Sequence, residues 1–148
     1  NKKAAALTLL FDAVKGAIAV LLARYFSGEG AVSIAAGAAL LGHCFPVWLG
    51  FKGGKGVATY FGIMFATAWP MGLAAAVLWL IVAGISRYSS MAALIVAGWL
   101  PIIMIFGGYG QYSLLAVILA IIIVIRHWGN IQRLKAGTET KIGATKKT

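Results

Sequence analysis

VATYFGIMFATAWPMGLAAAVLWLIVAGI, residues Val57 to Ile85, is an apolar run without a single charge, and whether it crosses a membrane once or twice decides the fold. It is long for one transmembrane helix and short for two of about 20 residues each. The flanking cations choose between the two. Read as a hairpin turning near Trp69-Pro70, the run leaves Lys2, Lys3, Lys52, Lys55, Arg87, Arg126, Arg133, Lys135, Lys141, Lys146 and Lys147 on one side and only Arg24 on the other. Read as one span, it splits the cations between both faces. Cytoplasmic loops collect Lys and Arg, so the hairpin is favoured, and Pro70 suits its turn or a first helical position.

The rest of the chain agrees. Its 148 residues are 61% hydrophobic and 11% charged, with a mean hydropathy of +0.93, whereas soluble domains carry about 25% charged residues. Further apolar runs lie at Ala4–Tyr25, Ala31–Leu49, Met91–Phe106 and Ser113–Ile125. The expected fold is all-α, a polytopic membrane helix bundle of six helices in this chain, some short, with both ends on the basic, cytoplasmic side. Alternating dyads of the outer-membrane barrel type are absent. Asp12 and Lys15 interrupt the first run, so it is not a signal peptide. Residues 1–148 read as a single membrane-embedded domain. After Arg126, His127–Leu134 is an amphipathic surface helix with Trp128, Ile131 and Leu134 on one face, and 135–148 is a solvated basic cytoplasmic tail. In water a net charge of +10 would suggest nucleic acid. Here the cations sit at helix ends and the aromatics inside apolar runs, so the expected partners are membrane lipids with anionic headgroups, and no nucleic acid. The lone Cys44 excludes a disulfide within the chain. An opening Asn1 in place of Met leads to the expectation of further residues upstream.

Three polar constellations fall on the basic face. In the loop before Val57, Lys52 and Lys55 alternate with Gly50, Gly53, Gly54 and Gly56. Glycines free the backbone to turn several N–H groups to one point, and the following helix adds its positive end, so the loop suits an anion, most often phosphate. The second constellation is Arg87-Tyr88-Ser89-Ser90. The third is His127-x-x-Asn130-x-x-Arg133, whose spacing puts an imidazole, an amide and a guanidinium on one helical face. Cations, hydroxyls and an amide without carboxylates suit phosphorylated molecules and no metal. The loop fails as a nucleotide-binding P-loop, because Gly56 stands where that motif needs Ser or Thr and a helix precedes it. Plainer readings stay open. Ser89 and Ser90 also fit helix caps, and His127 and Asn130 also fit residues facing headgroups. Asp12 and Lys15 read as a structural pair, and His43 as a residue orienting the loop. Cys44, a helical neighbour of His43 pointing elsewhere, does not read as a nucleophile. Glu29 and Glu139 read as solvated.

Gly42-His43-x-Phe45-Pro46 followed by Gly50-Phe51-Lys52-Gly53-Gly54-Lys55-Gly56-Val57-Ala58-Thr59 resembles the signature of the acyl-phosphate-dependent glycerol-3-phosphate acyltransferases, the PlsY family. Phe11-Asp12-x-x-Lys15-Gly16, Arg87-Tyr88-Ser89-Ser90 and Arg126-His127-x-x-Asn130-Ile131-x-Arg133-Leu134 extend the similarity to about Leu134. The resemblance implies a seven-helix bacterial inner-membrane enzyme that transfers the acyl group of an acyl phosphate to glycerol 3-phosphate, giving lysophosphatidic acid and phosphate without a cofactor. It implies that Lys52, Gly53, Gly54, Lys55 and Gly56 hold phosphate, that Ser90 touches a substrate phosphate, and that His127 and Asn130 complete a catalytic pocket with Lys55. His43 and Arg87 are carried over as further binding residues. Two departures go with it. The family's opening helix and Ser-Gly-Asn-x-Gly-Ala-Thr-Asn motif should precede Asn1, and a chain lacking them is expected to be inactive; Ala93 stands where relatives often have serine. No carboxylate is expected near the glycerol hydroxyl, so a substrate phosphate oxygen is the expected proton acceptor and His127 its rival. The alternative functions are a transporter of an anionic metabolite, which the lack of an internal repeat disfavours, and a lipid-binding scaffold.

Overall fold

Hydrocarbon surroundings offer no partner for a backbone N–H or C=O, so apolar runs of this length coil into helices. The computed structural model of the chain describes residues 1–144 and contains seven α-helices: α1 Lys2–Ser27, α2 Val32–Cys44, α3 Val57–Thr67, α4 Trp69–Ser86, α5 Ser89–Phe106, α6 Ser113–Arg126 and α7 Trp128–Lys135. Among the described residues there is no strand. The hairpin is present. The chain breaks at Ala68, which is extended (φ −152°, ψ 97°), and Pro70 lies in the first turn of α4, where its missing N–H costs nothing.

Four helical stretches are long and apolar enough to cross a membrane: α1, the Glu29–Leu49 stretch around α2, α4 and α5. A fifth arises if α6 and α7, bent by 64° at His127, are taken together. By contrast α3 has only 11 residues, a rise of about 16 Å, roughly half of a hydrocarbon core. One arm of the hairpin is therefore a half-helix, and the loop preceding it lies beside Asp12, about three turns into α1.

Two glycines hold α3 there. α1 packs against α3 more extensively than any other pair of helices. A Cβ on Gly62 would fall on the backbone of Ala13, and one on Gly16 would lie 2.7 Å from the carbonyl oxygen of Thr59. The two backbones touch because nothing stands between them, the close approach small residues allow in membranes. Behind this contact Leu40, Ile63, Met64, Leu100, Met104, Leu119 and Ile123 are fully buried.

At the opposite end Arg24, the one cation left there by the hairpin, has a task. Its guanidinium donates to Ala66 O (2.6 Å) and Thr67 O (3.0 Å), carbonyls that the end of α3 leaves unbonded. It also donates twice to Glu29 (2.7 and 2.9 Å), and Glu29 accepts the Tyr112 hydroxyl. Glu29 is half exposed, as a solvated carboxylate should be, and is paired as well. A carboxylate beside apolar helix ends is held by the nearest cation because water alone solvates it less well there.

Candidate active site

α2 ends at Cys44, and the chain passes through Pro46 and a tight turn over Val47–Leu49 into Gly50 (φ 57°) and Phe51 (φ 62°), both left-handed. It then doubles back. The Gly53 amide donates to Cys44 O (3.2 Å) and the Gly54 amide to His43 O (3.3 Å), closing carbonyls at the end of α2. These two glycine N–H groups are therefore committed to the protein, against the expectation that they face a ligand. The donors lie one step further on. Among the described residues, the amides of Lys55, Gly56, Val57, Ala58 and Thr59 have no protein acceptor, and Tyr60 is the first to bond back, to Gly56 O (2.8 Å). Gly56 (φ 81°) starts α3 without a side-chain cap, so the positive end of the helix and these amides form one concave donor set. Lys55, Gly56, Val57 and Ala58 line a recess of about 320 Å³ with Gly54, Leu9, Asp12 and His43. Lys52 is exposed on the outer limb, its amide bonded to Leu49 O.

His43 lies against this loop, its carbonyl accepting from Gly54, and it also lines the recess. Its Nδ1 lies 2.7 Å from Lys15 Nζ, which in turn bonds Asp12 at 2.6 Å. The Asp12–Lys15 pair is present and His43 makes it a triplet. A Cβ on Gly54 would strike the His43 ring, so the glycine is what lets the loop lie flat against the imidazole. Cys44 is buried. On the other side Arg126 donates from Nε to Gly54 O (3.0 Å) and from Nη2 to Gly53 O (2.6 Å).

His127 caps α6 where α7 turns away, and only 2% of it is exposed. Its Nδ1 is 2.8 Å from Ile123 O. A carbonyl only accepts, so Nδ1 carries the proton and Nε2 is left as an acceptor. Burial lowers the imidazole pKa from its ordinary value. The Ile123 carbonyl and the Glu139 carboxylate oppose that, and the nearby Lys55 and Arg126 cations reinforce it. The ring is neutral at physiological pH.

The third constellation closes on a residue that sequence reasoning left in solvent. Glu139 Oε1 accepts from Ser90 Oγ (2.7 Å) and Asn130 Nδ2 (2.5 Å), and Oε2 accepts from Arg133 Nε (2.7 Å). Its side chain is 8% exposed. Two expectations are corrected at once: the site does contain a carboxylate, and the tail is not wholly free. Neither Ser89 nor Ser90 is the cap, since Tyr88 holds the N-cap position of α5 and no side chain bonds there. Arg87 also belongs to this clasp rather than to the recess. It is left-handed (φ 61°), its carbonyl accepts from the Ile142 amide (2.7 Å) and its guanidinium donates to Ile142 O (3.1 Å). Lys146 and Lys147 lie outside the described residues. The signal for Glu139 was scarcity. The chain has three acidic residues, and each finds a cation: Asp12 with Lys15, Glu29 with Arg24, Glu139 with Arg133.

Burial alone would raise the Glu139 pKa; the bonds from Ser90, Asn130 and Arg133, with the charge of Arg133, outweigh it and bring it down to about 2. A carboxylate depressed in the folded state contributes stability that is complete above its unfolded pKa and is lost as pH falls through its folded one. The clasp is thus expected to hold at pH 5 and to open between roughly pH 4 and 2. Glu139→Gln should open it at neutral pH, costing about 2 kcal/mol for the lost charge-assisted bonds. Hydrogen exchange over 137–144 reads the result. Unchanged protection there in the variant would show that the carboxylate is not what pins the segment.

A family model described as glycerol-3-phosphate acyltransferase matches residues 1–137. The chain is 54% identical over 145 residues to the glycerol-3-phosphate acyltransferase of Jannaschia sp. (strain CCS1), covering 98% of this chain and 71% of the relative. It is 55% identical over 144 residues to that of Mesorhizobium japonicum, covering 97% and 73%. Among solved structures it superposes with a TM-score of 0.90 and 34% identity on PlsY, an integral membrane glycerol 3-phosphate acyltransferase, in its glycerol 3-phosphate form. The match covers 96% of this chain and 72% of the other. The lysophosphatidic acid form of the same enzyme matches with the same score and identity.

Proposed function

The chain belongs to the glycerol-3-phosphate acyltransferase family, and from that premise we propose that it moves a fatty acyl group from an acyl phosphate to glycerol 3-phosphate, releasing lysophosphatidic acid and inorganic phosphate. The place is the cytoplasmic side of the bacterial inner membrane and the role the first acylation of phospholipid synthesis. The observation that carries this reading is the set of unpartnered amides from Lys55 to Ala58, which lines a recess with Asp12 and His43 at the start of α3. An acyl phosphate is a mixed anhydride and needs no further activation. The glycerol hydroxyl oxygen bonds to the acyl carbon, the bond from that carbon to the phosphate oxygen breaks, and phosphate leaves with the electron pair. What remains for the protein is to hold two anions in line and stabilise the oxyanion, work done by fixed N–H groups and cations. The half-length of α3 supports this. It sets the donors beside the middle of α1, where the carbonyl of an acyl chain lying between helices can meet a soluble phosphate ester.

Lys55 and the amides at the start of α3 take phosphate. Ser90 and Asn130, held by Glu139 at the start of α5, are further contacts for a substrate phosphate in this reading. His127 presents Nε2 to the glycerol hydroxyl and orients it. An imidazolium there would face Lys55 and Arg126, so the proton ends on a substrate phosphate oxygen. His43, Gly53 and Gly54 build the loop. Lys52, exposed beside the recess, adds positive potential that draws anions in. Arg87 acts through the clasp.

Purified protein given palmitoyl phosphate and labelled glycerol 3-phosphate should form labelled lysophosphatidic acid. Flux of the label into sealed vesicles without acyl product would instead establish a transporter. His127→Gln separates orientation from base catalysis. A phosphate monoester has its own ionisation near pH 6, so the variant should keep an acid limb there while KM for glycerol 3-phosphate rises about 10-fold. Disappearance of that limb with a collapse in kcat would make His127 the base.

A further inference from the structure

We propose that Arg126 is a positioning residue that sets which way the phosphate-binding amides face; this rests on the reading of the loop as the phosphate site. The argument is one of peptide geometry. In a trans peptide the C=O of one residue and the N–H of the next point in opposite directions. The Gly53–Gly54 unit is held at both ends, its oxygen by Arg126 Nη2 (2.6 Å) and its N–H by His43 O (3.3 Å). The Gly54–Lys55 unit is held by its oxygen alone, through Arg126 Nε (3.0 Å). With that oxygen turned to Arg126, the Lys55 N–H must point away from it, and it is the first amide of the unpartnered set.

The device matters because glycine resists peptide rotation poorly. A flipped Gly54–Lys55 unit would present a carbonyl oxygen to the substrate phosphate, replacing attraction with repulsion. Arg126 removes that option by occupying the oxygen. Two adjacent carbonyls accepting from one side chain need donors in a rigid fork, which guanidinium has and ammonium lacks. The guanidinium carbon lies over the Phe45 ring, 5.2 Å from its centroid, a cation–π contact. Because Arg126 precedes His127 in the chain, the end of α6 carries both the brace of the loop and the orienting imidazole, so the two stay in register.

In the intact membrane protein, Arg126→Lys keeps the charge and loses the fork. It should lower kcat/KM about 100-fold, with KM for the phosphate ester raised, thermal stability retained and amide exchange at Gly53 and Gly54 accelerated. In Arg126→Ala, added guanidinium should restore activity and methylammonium should not. Arg126→Lys within threefold of wild type, or rescue by either cation equally, would overturn the proposal and leave charge alone as the requirement. Amide-resolved exchange on the unaltered protein provides a test independent of any variant. Gly53 and Gly54 should be protected and Lys55 should exchange fast; rapid exchange at both glycines defeats the proposal. Should the unaltered protein form no lysophosphatidic acid, the proposed function falls while the exchange pattern still decides the clamp.

Discussion

Lys55→Ala should lower kcat/KM for acyl transfer about 1,000-fold, while Lys52→Ala stays within about threefold, although both residues are lysines of one glycine loop. The difference is positional. Lys55 edges the recess lined by Gly54–Ala58, its amide opens the unpartnered donor set, and its charge is felt at His127. Lys52 sits on the outer limb, exposed, with its amide spent on Leu49. Both side chains are exposed, so place decides: an ammonium beside the donor set acts on charge that develops in the transition state, and a 1,000-fold loss is about 4 kcal/mol, whereas one on the outer limb does not reach that charge. In Lys55→Ala both KM for glycerol 3-phosphate and kcat should worsen, because the phosphate is bound in the ground state and further charged in the transition state. Steady-state kinetics with both substrates varied reads the outcome. If saturation and turnover are unchanged in Lys55→Ala, or if the two variants are equally damaged, the loop acts as a diffuse basic patch and the site lies elsewhere.

What the sequence made legible followed from rules that act locally. Apolar length and the bias of cations to one side were enough for the helices and for the reversal at Ala68, because membrane insertion obeys those quantities. The glycine–lysine loop, His127 and Asn130 could be placed on one face for the same reason. The misses share a cause too. That Gly53 and Gly54 give their amides to α2, so that donors begin at Lys55, depends on a chain doubling back on itself, which composition does not encode. Glu139 looked like a tail residue because Ser90, its partner, lies far away in the chain, and a pairing across that distance exists only once α5 and α7 meet. The start of α3 at Val57 and its turn near Trp69-Pro70 were legible too; what was not is the backbone contact with α1 that holds it.

That packing makes the sign of one substitution diagnostic. Gly62→Ala adds one methyl group in the middle of α3, where helix propensity alone predicts stabilisation of up to about 1 kcal/mol. The geometry predicts the reverse. The new Cβ would fall on the carbonyl of Ala13, and backbone inside a helix cannot swing aside as a side-chain tip can. α3 must move off α1, losing the contact along Gly16 and Thr59 and costing about 3 kcal/mol, the upper range for overpacking. Function should suffer more than stability. A shift of about 1 Å in the start of α3 moves every amide from Lys55 to Thr59 relative to His127, and misplacement on that scale costs about 100-fold in rate. Gly84→Ala and Gly98→Ala are the controls, since a Cβ at either meets nothing within 4 Å. Both should be neutral or slightly stabilising, with activity intact. Thermal unfolding in detergent and acyl-transfer rates on the three variants decide the matter. Were Gly62→Ala to raise the unfolding midpoint as the controls do, α1 and α3 would not be in backbone contact, and the recessed placement of the phosphate site would have lost its support.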